Sequence, residues 1–461
     1  MYDIAVIGAG SGGLTAAMTA QGFGKKTLLI EKDRPGGECT WSGCIPSKAL
    51  IHEAERVHTA NKLIPDFGYD TKIALEEVNR VRNRVYSHET PEQLESFGIV
   101  YKKGMTSFLN SKTLSVEGEE IQAKKIIIST GSSPFIPPIE GLEQTTFHTN
   151  ETFFNQTHLP KSLLILGGGP IGVEMAQAVS RLGCKVTLVE MMDIPLFREE
   201  REYAESVRDI LKSEGVQFLL GAKATRVEEN NSKIRLYYSQ DNQEWQIEAD
   251  SLLVSIGRKA NTEGLELDKA GIQYTPKGII VNPYLQTSQK NIYAIGDVVG
   301  PYQFSHMANA QGIRAVQNAI LPIKRKLSYK DISWVTFTSP ELARIGITEE
   351  EARQKHGSSI RIYEYDFNRL DRAMTRGETK EKIKVILNKK GYLLGASILG
   401  YRAGEMLGEL QLLKTRNINF SQMAKVVHPY PTYNDVFSKI GKQVMVDNLM
   451  LNPFIRLLRR K

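Results

Sequence analysis

The feature that most constrains the fold of this 461-residue chain is a local pattern that occurs twice. In each copy an apolar run that reads as a buried strand enters a glycine-rich turn, and a helical pattern follows. The glycines are Gly8, Gly10 and Gly13 in the first copy and Gly167, Gly169 and Gly172 in the second. The next apolar run ends in Glu31 in the first copy and in Glu190 in the second. The pattern predicts two Rossmann-like dinucleotide-binding domains and therefore an α/β fold.

The residue types of each copy suit a bound dinucleotide. The first glycine allows a tight turn, the second lets the backbone approach a pyrophosphate, and the third lets helix and strand pack closely. The start of the helix then faces the phosphate charge, and the acid accepts hydrogen bonds from a ribose diol. A glycine-rich turn in some other α/β domain is the alternative for one copy alone. Two copies in the same arrangement favour nucleotide binding.

Two of the three cysteines, Cys39 and Cys44, are separated by four residues. Cys44 is followed by Pro46-Ser47-Lys48 and an apolar pattern that predicts the first turn of a helix. A helix start carries free N–H groups and positive partial charge, which favour a thiolate. The pair therefore predicts redox chemistry, and a stabilising disulfide is the less favoured alternative. The odd number of cysteines favours a reducing compartment, and we expect a cytoplasmic protein without a secretory signal.

Composition excludes several classes of function. The chain has 59 basic and 52 acidic residues, and a net charge of +7 is mild for this length, so we do not expect nucleic-acid binding. Because no apolar run reaches the ~18 residues of a spanning helix, we expect no transmembrane segment. The basic tail 452–461 allows peripheral contact with an anionic membrane, although a frayed or dimer-packed end is favoured. We predict no metal site.

The run from Gly36 to Lys48 resembles the active-site signature of class I pyridine nucleotide–disulfide oxidoreductases. This flavoenzyme family includes dihydrolipoamide dehydrogenase, glutathione reductase and mercuric reductase. Three later runs resemble the family too, at 126–131, 255–261 and 291–298. The resemblance implies a flavin domain in two segments, a nucleotide domain inserted between them, and a C-terminal α+β dimerisation domain. The corresponding ranges are 1–150 and 271–330 for the flavin domain, 151–270 for the insertion, and 331–461 for the dimerisation domain.

The resemblance also implies the cofactors. The cysteines and Lys48 follow the first copy, so FAD is expected there and NAD in the second copy. Further residues expected to contact a cofactor are Thr130, Gly131, Gly257 and Asp297, the last by bonding a ribityl hydroxyl. Lys48 is expected beside the flavin, paired with Glu174. The Glu190 carboxylate would repel a 2′-phosphate, which favours NADH, and the neighbouring Arg198 keeps NADPH possible.

The run 427–435 departs from the C-terminal active-site pattern of this family's disulfide reductases. Aligned on Pro431-Thr432, Tyr430 takes the place of the family's catalytic histidine and Asp435 that of its carboxylate partner, while His428 comes two positions early. His428 could replace the base if the loop is displaced, and a purely structural role for these groups is the alternative. Tyrosine at this place resembles mercuric reductase. This chain, however, has no cysteine after Cys184 to deliver a metal.

We therefore predict a homodimeric, FAD-dependent oxidoreductase. Electrons would pass from NADH or NADPH through FAD to a Cys39–Cys44 disulfide, with Cys44 nearer the flavin. Cys39 would then attack a small disulfide, a thiol-bound metal or another electrophile. Two alternatives stay open: a dihydrolipoamide dehydrogenase that uses His428, and a redox sensor that turns over slowly.

Overall fold

The computed structural model describes residues 1–64, 67–377 and 380–451. The helices of these residues are α1 Ser11–Gly22, α2 Gly37–Trp41, α3 Cys44–Leu63, α4 Thr71–Tyr86, α5 Pro91–Ser96, α6 Asn150–Phe153, α7 Pro170–Arg181, α8 Arg201–Ser213, α9 Ser305–Ile320, α10 Glu349–His356, α11 Asp371–Met374, α12 Ala403–Thr415 and α13 Asp435–Leu451. The basic tail 452–461 lies outside the described residues.

The strands of the first half are β1 Tyr2–Ile7, β2 Thr27–Glu31, β3 Val100–Lys103, β4 Thr106–Asn110, β5 Thr113–Val116, β6 Glu119–Ile128, β7 Ser132–Pro134, β8 Ser162–Leu166, β9 Lys185–Glu190, β10 Gln217–Leu220 and β11 Lys223–Asn230. The strands that follow are β12 Lys233–Gln240, β13 Gln243–Ala249, β14 Ser251–Val254, β15 Arg258–Ala260, β16 Tyr274–Thr275, β17 Gly278–Ile279, β18 Ile292–Ala294, β19 Ser333–Thr336, β20 Glu341–Gly346, β21 Ile360–Asp366, β22 Lys382–Asn388 and β23 Leu393–Gly400.

The described part of the chain divides into two compact units. The first comprises Met1–Gly167, Leu182–Cys184 and Ala224–Leu327. The second comprises Gly168–Arg181, Lys185–Lys223 and the described residues from Ser328 onward.

The first unit is built on a parallel sheet with the strand order β3-β2-β1-β6, to which β18 adds beside β6. The apolar run Ile4–Ile7 in β1 is buried on both faces of this sheet, as uninterrupted apolar runs in parallel sheets are. Helix α1 packs on the sheet through Ala16, Ala17 and Ala20, in a core that includes Ala315 of α9. Small residues on α1 let it approach the strands closely.

The glycine turn after β1 depends on the absence of side chains. Gly8 has φ +97°, and a Cβ there would lie 2.4 Å from the carbonyl oxygen of Ser129. A Cβ on Gly13 would lie 1.8 Å from the carbonyl oxygen of Gly8. The first and third glycines therefore have the packing roles that the sequence predicts.

The second unit combines two kinds of sheet. Strands β9 and β10 pair in parallel, and the C-terminal part forms an antiparallel sheet in the order β19-β20-β23-β22-β21. Helices α12 and α13 supply Leu410 and Phe437 to a core shared with Ile383 and Val385 of β22. Parallel strands with helices, followed by an antiparallel sheet with helices, confirm the predicted α/β class with a C-terminal α+β part.

Candidate active site

The two cysteines of the predicted redox pair lie at successive helices. Cys39 is in the short helix α2, and Cys44 is the first residue of α3, as the sequence predicts. The carbonyl oxygen of Glu38 accepts the backbone N–H groups of Ser42 at 2.9 Å and Gly43 at 2.7 Å. These bonds close the chain between the cysteines into a tight turn.

The two thiols are hydrogen bonded to each other, and their pKa values shift in opposite directions. The hydrogen bond from Cys44 is the main cause that lowers the pKa of Cys39 to about 6, against an opposing effect of burial. The hydroxyls of Ser305 and Ser11 lower it further, and they belong to the first residues of α9 and α1. The pKa of Cys44 is raised, since its proton is held in that same bond. The pair therefore holds one thiolate at neutral pH, on Cys39.

Two groups act on the Cys44 side of the pair. The Oγ of Ser305 lies 3.8 Å from the Cys44 sulfur. Lys48, one turn further along α3, exerts a positive charge that favours the Cys44 thiolate. Both groups would stabilise negative charge on Cys44 when it loses its proton.

The first glycine turn and the cysteine segment are in backbone contact. The N–H of Gly36 donates to the carbonyl oxygen of Ala9 at 2.9 Å, and a Cβ on Gly37 would lie 2.5 Å from the Cα of Gly10. A dinucleotide bound at the first glycine turn would therefore lie beside the segment that carries the redox pair. This arrangement fits FAD at the first copy of the repeat.

The acids of the two copies are held in the same way. Glu31 accepts the N–H of Ala9 at 2.7 Å with one carboxylate oxygen and that of Asp33 at 3.0 Å with the other. Each oxygen keeps a second lone pair for a ribose hydroxyl.

Glu190 repeats this arrangement in the second unit. It accepts the N–H of Gly168 at 2.6 Å and that of Met192 at 2.8 Å. A Cβ on Gly169 would have no heavy atom within 4 Å, so the turn leaves open space where a pyrophosphate would approach. The second copy thus fits a pyridine nucleotide.

The remaining cofactor candidates of the first unit lie together. The Thr130 hydroxyl donates to the carbonyl oxygen of Asn261 at 2.7 Å, and the Asn261 N–H donates to the carbonyl oxygen of Gly131 at 3.0 Å. Gly257, with φ +153°, precedes β15, which pairs with β7 just after Gly131. Asp297 accepts the hydroxyl of Ser132 at 2.7 Å and keeps acceptor capacity for a cofactor hydroxyl.

Glu174 is a buried residue of α7 and accepts the N–H of Phe337 at 2.8 Å. It belongs to the second compact unit, whereas Lys48 belongs to the first. Their pairing therefore stays a prediction. Gly172 is buried on the same helix, as its predicted packing role requires.

The structure gives Tyr430 a carboxylate partner other than Asp435. The Tyr430 hydroxyl donates to Asp371 at 2.9 Å, and this hydrogen bond is the main cause that raises the pKa of the exposed phenol. Asp435 begins α13 and pairs with Lys439 at 3.3 Å, one turn further along that helix. The Tyr430 hydroxyl is therefore bonded to Asp371, and a catalytic pairing of Tyr430 with Asp435 stays a prediction.

His428 has the carboxylate partner that the sequence alignment does not give it. Its Nε2 lies 2.9 Å from a carboxylate oxygen of Glu409, on α12, and the side chain is only 4% exposed. The other ring nitrogen, Nδ1, is buried without a hydrogen-bond partner among the described residues. Asn434 donates to the second carboxylate oxygen of Glu409. His428, Glu409 and Asn434 therefore form one partly buried polar cluster.

In the ranges 1–64, 67–377 and 380–451, no helix is both long and apolar enough to cross a membrane. The same ranges contain no cluster of three or more histidine, cysteine, aspartate or glutamate side chains placed to hold a metal ion.

The fold and the paired thiols define a flavin-dependent disulfide oxidoreductase, and the comparison with known families agrees. The family described as pyridine nucleotide-disulphide oxidoreductase matches residues 2–320, and its dimerisation domain matches residues 332–440. The chain belongs to this family.

Its relatives carry more than one activity in their names. The chain is 35% identical to a dihydrolipoyl dehydrogenase of Thermus scotoductus over 94% of this chain and 95% of the relative. It is 31% identical to a mercuric reductase of Staphylococcus aureus over 94% of this chain and 80% of the relative. Among solved structures, the HOCl-induced flavoprotein disulfide reductase RclA from Escherichia coli is similar, with a TM-score of 0.86 and 30% identity over 95% of this chain and 99% of RclA.

These relationships confirm the predicted family and general activity. The protein is an NAD(P)H-dependent flavoprotein disulfide oxidoreductase, and its family uses FAD and a pyridine nucleotide. The chain also carries the family's dimerisation domain.

Proposed function

We propose that this enzyme uses NADH to reduce a small thiol-reactive electrophile by way of a Cys39–Cys44 disulfide. The observation that carries the proposal is the hydrogen-bonded thiol pair, in which the pKa of Cys39 is lowered to about 6. A thiol with this pKa is mostly thiolate at neutral pH, and the thiolate is the form that attacks disulfides and binds soft metals.

The proposed cycle consumes NADH and one acceptor disulfide and needs no other reactant. The chemistry that bound FAD would supply is the transfer of the hydride equivalent of NADH to the sulfur–sulfur bond. That bond breaks and takes up two electrons and one proton. Cys39 is then a thiolate and Cys44 a thiol. Cys39 attacks an acceptor disulfide, forming a mixed disulfide and releasing one acceptor thiolate. Cys44 then loses its proton beside Lys48 and attacks the Cys39 sulfur, which releases the second thiolate and restores the disulfide.

The acceptor class follows from the accessible pair and from the names of relatives. Cys39, the sulfur proposed to attack, is partly exposed, so a small molecule has access to it. Structures of RclA include a Cu(II) complex, and other relatives are named mercuric reductases. We propose small disulfides and soft metal ions as acceptors. Because the sequence has no cysteine after Cys184, metal delivery by a C-terminal cysteine pair is not part of the proposal.

A second candidate is dihydrolipoamide oxidation, favoured by the pair of His428 and Glu409. A carboxylate on one ring nitrogen fixes the tautomer of the histidine and leaves the other nitrogen as the one that can accept a proton, as a catalytic base requires. His428→Ala should then abolish dihydrolipoamide oxidation, whereas Tyr430→Phe should leave it nearly unchanged. The reverse pattern, with fast reduction of metal ions or disulfides, would support the mercuric reductase-like assignment of Tyr430.

We also propose that the enzyme is a cytoplasmic homodimer. Its proposed domains are a flavin domain at 1–150 and 271–330, a nucleotide domain at 151–270 and a dimerisation domain at 331–461. The dimerisation domain supports the homodimer, and the odd cysteine count supports a reducing compartment.

The direct test is NADH consumption by the purified FAD-loaded enzyme with a panel of acceptors: glutathione disulfide, cystine, lipoamide, Cu(II) and Hg(II). Cys39→Ala should abolish turnover with every acceptor that the wild type reduces. Cys184→Ala is the matched control and should keep wild-type rates, because Cys184 is buried and its pKa is raised to about 12. Turnover by Cys39→Ala at wild-type rates would refute the proposal, and negligible turnover with all acceptors would favour the redox-sensor alternative.

A further inference from the structure

The turn that carries the cysteines is anchored by a carboxylate that the sequence patterns do not assign, that of Glu38. The guanidinium of Arg258 donates to both carboxylate oxygens of Glu38, at 2.6 Å to Oε1. Asn150 Nδ2 donates to Oε1 as well, at 2.8 Å, and to the carbonyl oxygen of Ser42 at 3.3 Å. Asn150 therefore holds the segment at both of its ends.

The same arginine is fixed from its other side. Arg258 donates from Nε to the Ser132 hydroxyl at 2.7 Å and from a terminal nitrogen to the Ser132 carbonyl oxygen at 2.8 Å. Its Nε also lies 3.6 Å from Asp297. The Arg258 side chain is only 12% exposed and that of Glu38 is 28% exposed, so solvent screens the pair less than a surface pair. Glu38 is thus tied to strands β7 and β15 of the same unit.

The anchoring matters because Glu38 directly precedes Cys39. Its side chain is held by Arg258 and Asn150, and its carbonyl oxygen accepts the N–H groups of Ser42 and Gly43, next to Cys44. These contacts are present while both sulfurs are thiols. A reduced pair held together has a high effective concentration of one thiol for the other, which favours the disulfide.

We propose that Glu38 is a positioning residue that, through Arg258 and Asn150, holds Cys39 and Cys44 together in the reduced enzyme and so lowers the reduction potential of their disulfide. This inference rests on the proposed function, in which the two cysteines form the redox couple. In this role Glu38 acts through the backbone that its carboxylate anchors.

The test is the thiol–disulfide equilibrium of the full-length, FAD-loaded protein in anaerobic glutathione buffers. The Cys39–Cys44 disulfide and two glutathione molecules exchange with the dithiol and glutathione disulfide, and alkylation followed by mass mapping counts the free thiols. Glu38→Gln should raise the equilibrium constant for reduction at least tenfold, which corresponds to about 30 mV in this two-electron couple. The KM for NADH should stay at the wild-type value.

The matched control is Glu77→Gln. Glu77 also accepts two hydrogen bonds from one arginine, Arg80, but both lie on α4, and the Arg80 side chain is 64% exposed against 12% for Arg258. This variant should keep the wild-type equilibrium.

Each outcome decides the inference. Equal equilibrium constants for wild type and Glu38→Gln would overturn it, while a wild type that forms no Cys39–Cys44 disulfide would overturn the proposed function instead. If Glu38→Gln loses FAD or fails to fold, Asn150→Ala decides in its place. That variant removes the other anchor of the same segment and should shift the equilibrium in the same direction; no shift would refute the inference.

Discussion

At the scale of single residues, the reactivity of the enzyme depends on how one proton is shared between two sulfurs. The hydrogen bond from Cys44 and the hydroxyls of Ser305 and Ser11 stabilise negative charge on Cys39. Burial alone would have the opposite effect, since it disfavours a thiolate. The outcome is an asymmetric pair, and in the proposed cycle Cys39 attacks the acceptor while Cys44 keeps its proton until the second attack.

This asymmetry predicts the pH dependence of alkylation in the reduced enzyme. Because the pKa of Cys39 is lowered to about 6, its reactive thiolate is present above that pH and lost below it. Its rate with iodoacetamide should therefore be nearly constant above pH 7 and fall about tenfold between pH 7 and pH 5. Timed quenching followed by mass mapping would measure the alkylation rate of Cys39. A Cys39 rate that still rises steeply between pH 7 and pH 9 would contradict the account.

Nucleotide preference is a second residue-scale prediction. Glu190 is held by the N–H groups of Gly168 and Met192, so its charge stays where a ribose would bind. Glu190→Ala should raise the ratio of kcat/KM for NADPH to that for NADH on the order of tenfold, about 1.4 kcal/mol. Arg198→Ala should leave the ratio unchanged, because that guanidinium lies over the ring of Phe197. A ratio governed by Arg198 would refute the assignment.

At the scale of elements, the glycine turns were predictable and several contacts were not. The order of strand, turn and helix depends on neighbouring residues, so Gly8, Gly13 and Glu31 could be assigned from the sequence. The pairs Glu38–Arg258 and His428–Glu409 join residues 220 and 19 positions apart, and no spacing pattern announces either. Only the packing of distant elements brings such partners together.

The first turn offers a direct test at this scale. Gly13→Ala places a Cβ 1.8 Å from the carbonyl oxygen of Gly8, so the helix and the turn cannot keep their present packing. We expect a loss of about 1–3 kcal/mol in the free energy of unfolding, together with loss of FAD. Urea unfolding and the ratio of flavin to protein absorbance measure both.

Gly22→Ala is the control in the same helix, since a Cβ there would have no heavy atom within 4 Å. It should keep FAD and full stability. Wild-type stability and flavin content in Gly13→Ala would contradict the predicted close packing.

At the scale of the whole molecule, the C-terminal part explains why a dimer is proposed. It matches a dimerisation domain and exposes large apolar side chains, among them Val427, which is 94% exposed, and Val446 on α13. Sedimentation equilibrium should give about twice the chain mass of 51.7 kDa, and Val446→Asp should weaken the association. A wild type that remains monomeric at micromolar concentration would refute the homodimer.

The architecture of the whole molecule was predictable from the sequence, but the contacts of its C-terminal part were not. The repeat and the cysteine signature predicted the α/β class and the family. The C-terminal element was harder, because aligning Tyr430 with a family position could not reveal that Asp371 would be its partner. Such a contact depends on the tertiary fold, which short sequence patterns do not encode.

The central claim is that electrons from NADH reach the bond between Cys39 and Cys44. It is tested most directly by adding one equivalent of NADH per FAD to the air-oxidised enzyme without oxygen, then alkylating and mapping the cysteines. The account predicts that both cysteines are blocked before NADH and alkylated after it, while Cys184 is unchanged. Cysteines already free before NADH, or still blocked after NADH is consumed, would contradict it.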